Sequence, residues 1–192
     1  MIDYDYLLQL AKASIEHGFM HDAPLVVNPS QQPSDLHVNT VVFVTIKSHG
    51  MVWCRGNLKA KPLFDAVLDM AYNSAFLDSR NQPLTRALCK DATVEISHLY
   101  GVPILSRICN PAQMGERIQP DDSIRVYFED LSATMLSSEQ PKFADNAAFI
   151  VATRKKAGIP DHFAWAHIDI ARVKTIKTKA VNYRDIPCLN IV

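Results

Sequence analysis

Two short stretches, one helix apart, hold the residue types best suited to chemistry: Cys54-Arg55-Gly56-Asn57 and Asp78-Ser79-Arg80. A guanidinium matches carboxylate or phosphate geometry with paired hydrogen bonds, so Arg55 and Arg80 are candidate anchors for a small anionic ligand. Gly56 would let the backbone approach that ligand closely, or take a positive φ. Asn57 and Asp78 complete the candidate ligand-binding set. A second arrangement stays open, in which Asp78 pairs with Arg55 and pins strand to helix, because buried charges are usually paired. The Asp-Ser-Arg turn can likewise serve structure, its side chains satisfying free backbone groups. Cys54 is the thiol nearest these residues and the candidate nucleophile if the chain is an enzyme.

Other chemistries find less support. There is no Gly-x-Ser-x-Gly elbow and no Gly-x-Gly-x-x-Gly or Walker loop in a chain with 6 glycines. The 7 histidines form neither His-x-His nor His-Glu-x-x-His, and Cys109 has no spaced partner, so no metal or cofactor is expected. Lys+Arg and Asp+Glu balance at 20 each, which removes any global field for nucleic acid or anionic lipid. Of the local basic runs, Arg154-Lys155-Lys156 suits a helix C-terminus, and Lys174, Lys177, Lys179 and Arg184 suit a solvated strand edge. No apolar run approaches the ~20 residues of a membrane span. The acidic start Met1-Ile2-Asp3-Tyr4-Asp5 has no signal-peptide pattern, and the 4 cysteines include no Cys-x-x-Cys. The expectation is a soluble, cytoplasmic, thiol-reduced protein.

The elements that must position these residues can be read in order. Tyr4 to His17 has helical periodicity, with Asp3 to cap it and Gly18 to end it. A polar loop over 22–36 precedes Thr40–Lys47, a β-branched run that predicts a strand. Ser48-His49-Gly50 turns it back into Met51–Arg55. Pro62 starts a helix to about Leu77, and a short helix follows near Thr85–Cys89. Ala92–Leu99 alternates as a strand, with His98 on the core side, and Ile104–Ile108 is a candidate extension of the sheet. Residues 109–122, with two prolines and paired aspartates, read as a hinge between lobes. Ser123–Phe128 and Leu131–Leu136 form a hairpin, and Asp145 caps a helix through Ala157 closed by Gly158. Trp165–Ile176 ends the fold as a long strand. This order predicts an α+β fold with a mostly antiparallel sheet, and 192 residues suit one domain or two lobes sharing a core.

Taken together, the motifs resemble those of the AMMECR domain family. Its signature Leu-Arg-Gly-Cys-Ile-Gly is similar to Cys54-Arg55-Gly56-Asn57-Leu58-Lys59, and its Asp-x-Arg-Phe-x-Pro-like turn to Asp78-Ser79-Arg80-Asn81-Gln82-Pro83. Further matches are Asp122–Phe128, Ser132–Leu136 and Arg154–Pro160, so the resemblance covers roughly residues 4 to 184. It implies a single domain over 1–192, with halves of about 1–110 and 111–192, a mixed, mostly antiparallel sheet with flanking helices, and a larger and a smaller lobe with a cleft between. Here Asn57 replaces the family cysteine and Asn81 the family phenylalanine. The first change favours binding over catalysis, and the second a more polar ligand. The resemblance also implies an accessory or substrate-handling role beside Memo-like and radical SAM proteins. An enzyme using Cys54 or an Arg-polarised substrate, and a non-catalytic interaction module, are the alternatives.

Overall fold

Asp3 caps the first helix, its carboxylate accepting from the backbone N–H groups of Asp5 and Tyr6, each at 3.0 Å. That helix opens the computed structural model, which describes residues 1–57, 59–100 and 110–189. The elements in chain order are α1 (Tyr4–His21), β1 (Asn39–Ser48), β2 (Met51–Gly56), β3 (Lys61–Pro62), α2 (Leu63–Leu77), α3 (Arg86–Cys89), β4 (Thr93–Tyr100), α4 (Pro111–Gly115), β5 (Asp122–Phe128), β6 (Leu131–Met135), α5 (Asn146–Lys156), β7 (Asp169–Lys177) and β8 (Val181–Asn182). The fold is α+β. The expected strand at Ile104–Ile108, and Cys109, lie outside the described residues. No described helix is long and apolar enough to cross a membrane.

The chain divides into two compact units, Met1–His98 with Ile176–Val192, and Leu99–Thr175. In the first, β1 pairs antiparallel with β2 from Phe43↔Gly56 to Ser48↔Met51. The turn between them has positive φ at His49 (48°) and Gly50 (78°), which suits a tight hairpin. β3 pairs with the start of β1, and β8 with the start of β4. Leu7, Leu10 and Ile15 of α1 join Val42, Val44 and Ile46 of β1, Trp53 of β2, and Leu63 and Val67 of α2 in one buried cluster.

Gly18 does not end α1. A Cβ there would meet ring carbons of Phe76 and Tyr72 at 2.4 and 2.8 Å, so this glycine lets α2 close on α1. The helix ends at Asp22, left-handed at φ 53°. Pro62, expected as the first helical residue, lies in β3, at the position just before α2.

In the second unit β5 is central, antiparallel to β6 (Ile124↔Met135 to Phe128↔Leu131) and to β7 (Asp122↔Lys174 to Tyr127↔Asp169). Phe149 and Ile150 of α5 pack on Ile124, Val126, Ile168 and Ile170. Asp145 accepts from Ala148 N–H at 2.7 Å, and Gly158 at φ 73° closes the helix. The stretch expected as a hinge holds α4, with Asn110 accepting from Ala112 N–H at 2.9 Å. The last strand starts later than expected, because Trp165–His167 is a 3₁₀ turn. Arg154 holds that segment: its guanidinium donates to the carbonyls of Pro160 and Phe163 and covers the Trp165 ring at 4.6 Å. Arg154 is therefore buried rather than a solvated helix-end charge.

Candidate functional site

The last turn of α2 faces the β2 edge, and two side chains there hold the strand. Ser74 Oγ accepts from Arg55 N–H at 2.8 Å and donates to Val44 O at 2.8 Å. One turn on, Asp78 Oδ2 accepts from Cys54 N–H at 2.8 Å. Consecutive strand N–H groups are thus satisfied by one helix face, as buried backbone donors require. In the sequence Ser74 reads as part of an apolar stripe. Its place four residues before Asp78 is the signal that could have singled it out.

Asp78 is buried and carries the site's strongest electrostatics. Arg80 donates to it through Nε at 2.9 Å and Nη2 at 2.5 Å, and its backbone N–H lies 3.2 Å from Oδ1. Burial alone would push this carboxyl up. The Arg80 hydrogen bonds, the Cys54 N–H and the Arg80 charge outweigh it and hold the group at about 2. Arg80 Nη2 also reaches Cys54 O at 2.9 Å, Asn81 Nδ2 reaches Val52 O at 2.7 Å, and Trp53 Nε1 reaches Gln82 O at 2.8 Å. Residues 78–82 therefore form a clip along β2. The Asn81 amide nitrogen serves this clip.

Asn57 is turned to β1. Its Oδ1 accepts from Val42 N–H at 2.7 Å, and Nδ2 donates to Thr40 O at 2.9 Å and Lys59 O at 2.8 Å. Gly56 is not among the positive-φ residues. Its close approach is to Phe43, whose ring carbons would lie 2.5 to 2.8 Å from an added Cβ. Arg55 does not pair with Asp78, which belongs to Arg80. The Arg55 side chain is exposed, and among the described residues its guanidinium has no hydrogen bond or ion pair. Cys54 is half-buried, with Thr45 Oγ1 3.2 Å from its Sγ. Arg80, raised chiefly by its Asp78 hydrogen bond, also feels the Cys54 sulfur beside it.

Cys54 and Arg55 thus lie on β2, Asp78 and Arg80 of the turn after α2 brace that strand, and the side chain of Asn57 is set to another task. One histidine pattern escaped the motif reading: His17 and His21 lie one turn apart on α1, ring centroids 4.4 Å apart. His17 Nδ1 lies 2.9 Å from Ala23 O, and no group of three or more His, Cys, Asp or Glu that could hold a metal occurs among the described residues.

The described residues thus form an α+β protein with a helix-braced β hairpin and an exposed arginine on its outer strand. The AMMECR1 family profile matches residues 8–178, and the chain belongs to that family. Among solved structures it is similar to the uncharacterized protein PH0010 from Pyrococcus horikoshii, with a TM-score of 0.76 and 23% identity over 90% of this chain and 89% of that one. That likeness shows the fold. Among curated proteins, none matches.

Proposed function

We propose that this AMMECR1 family member is an accessory protein that binds a small anionic ligand, or an anionic group on a partner, at Arg55. The observation that carries this is the contrast between Arg55 and its neighbours. Asp78, Arg80, Ser74 and Asn57 are engaged in holding backbone, while the strand they hold presents the Arg55 guanidinium with no such bond among the described residues. With the backbone beneath it held, only the rotamers of the Arg55 side chain are left to order when it meets a carboxylate or phosphate, and its planar fork keeps the loss per hydrogen bond small. The family resemblance makes Memo-like and radical SAM proteins the first partners to test by co-purification. Arg80 and Asp78 then support the site rather than touch the ligand.

The test is a thermal-shift screen of wild type, Arg55→Ala and Arg55→Lys against carboxylates and phosphates. A ligand at a hundred times its Kd adds about 2.7 kcal/mol of stability. Stabilisation present in wild type, reduced in Arg55→Lys and absent in Arg55→Ala supports the reading. Stabilisation that survives in Arg55→Ala removes Arg55 from it.

A second reading has one observation in its favour. The Arg80 guanidinium beside Cys54 is the kind of neighbour that activates a thiolate. Iodoacetamide would then alkylate Cys54 faster than it alkylates the exposed Cys188, and Arg80→Ala would slow Cys54 alone. Equal rates would leave Cys54 as a packing residue.

A further inference from the structure

The second unit contains a cavity of about 310 Å³ lined by Met114, Arg117, Ile118, Gln119, Ile124, Ile170 and Arg172. Met114, Ile118, Ile124 and Ile170 are all buried, so its walls are apolar core side chains. The two cations among the described lining residues differ in how they are engaged. Arg172 donates from Nη1 to Arg117 O at 2.6 Å and pairs through Nε with the fully buried Asp122 at 3.2 Å. Asp122 Oδ2 also accepts from Gln119 N–H at 2.9 Å. These bonds fix residues 117–119 at the cavity. The Arg117 side chain is exposed and has no hydrogen bond or ion pair among the described residues. No carboxylate is among the described lining residues.

We propose that this cavity binds an aliphatic monocarboxylate of medium chain length, its chain against Met114, Ile118, Ile124 and Ile170 and its head on Arg117. The volume lies at the lower end of small-ligand sites, which are mostly apolar with a few fixed polar groups. The unengaged Arg117 guanidinium, with Arg172 already neutralised, matches one carboxylate in paired hydrogen bonds. Sugars and nucleotides, polar over most of their surface, would leave their hydroxyls facing apolar walls without partners.

The test is calorimetric titration of the full chain with hexanoate, octanoate and decanoate, below their aggregation concentrations, and with octanol. Affinity should rise about fourfold per added methylene until the chain fills the cavity. Arg117→Gln, a change on the surface, should weaken octanoate about tenfold and leave octanol unchanged. Ile170→Phe should weaken both, with its fold checked by circular dichroism, and amide shifts induced by octanoate should fall on residues 114–124 and 168–172. Octanoate should leave the amide signals of residues 51–56 unmoved, which separates this cavity from the Arg55 site. The proposal is overturned if none of the three acids binds, if Arg117→Gln binds octanoate as tightly as wild type, or if octanoate moves the amide signals of residues 51–56 instead of those of 114–124.

Discussion

Asn57 and Asp78 show how single residues of the signature region came to hold structure. Each polar atom of the Asn57 amide meets backbone, so Asn57→Ala would remove its hydrogen bonds to Val42 N–H, Thr40 O and Lys59 O, a loss of about 1–3 kcal/mol. Asn57→Cys, which installs the cysteine that the family resemblance implies at this position, should lose a similar amount, since a thiol cannot reproduce two amide donors and an acceptor. Urea denaturation of both variants checks this, and an Asn57→Cys protein as stable as wild type would remove the latch role. For Asp78 the prediction concerns pH. Its folded value of about 2 lies below its ordinary 3.8, so it contributes about 2 kcal/mol at neutral pH. That contribution is complete above about 4 and is lost as pH falls through 2. The stability gap between wild type and Asp78→Asn should therefore close between pH 4 and pH 2. A gap that stays constant across that window would show that the charge is not what matters. Residue types made this region legible as a candidate site. Their assignments were not legible, because Arg55 and Arg80 look alike in sequence and only the turn after α2 decides which one reaches Asp78.

Elements were readable where the signal was local. Asp3 and Asp145 cap their helices as their positions suggest, and the β1–β2 hairpin follows from a β-branched run and a Ser-His-Gly turn. The misses came from contacts distant in sequence. Glycine usually marks a helix end, yet Gly18 sits inside α1 because the Phe76 and Tyr72 rings of α2 occupy its Cβ position. Those rings are held: Tyr72 Oη donates to Asp22 O at 2.8 Å, and Phe76 meets Phe19 edge-on at 5.1 Å. Gly18→Ala would gain about 1 kcal/mol of helix propensity and lose about 1–3 kcal/mol to overpacking. The net expectation is a destabilised protein, read as a lower unfolding midpoint. Adding Phe76→Leu should recover part of the loss, and a stabilised Gly18→Ala would mean the rings yield freely. The same lesson applies at Trp165, where the Arg154 side chain, hidden in a basic triplet, holds a turn in place of the predicted strand start.

At the scale of the molecule, proline and aspartate content drew attention to residues 109–122 and to halves meeting near residue 110, whereas compactness divides the chain at His98 and Thr175. The two divisions lead to different fragments. In the first unit Tyr183 and Ile186 are buried with the α1 and α2 side chains. Tyr183 Oη donates to Glu16 at 2.8 Å, Tyr183 N–H to Ala92 O at 2.8 Å, and Lys12 to Ile186 O at 2.6 Å. No local pattern could announce that the tail returns to the first helix, since the partners lie more than ninety residues away. A 1–110 fragment lacks these residues and opens the core where they sat. A chain in which His98 is joined to Ile176 by a short Gly/Ser linker keeps them. The join is short because Thr178 N–H already bonds Ile96 O at 3.0 Å. The joined chain should unfold in one cooperative urea transition, with a slope reduced in proportion to the surface it no longer buries. The 1–110 fragment should show a broad transition and bind a hydrophobic dye. If the 1–110 fragment unfolded as sharply as the joined chain, the returning tail would be an appendage and the core of this unit would be complete without it.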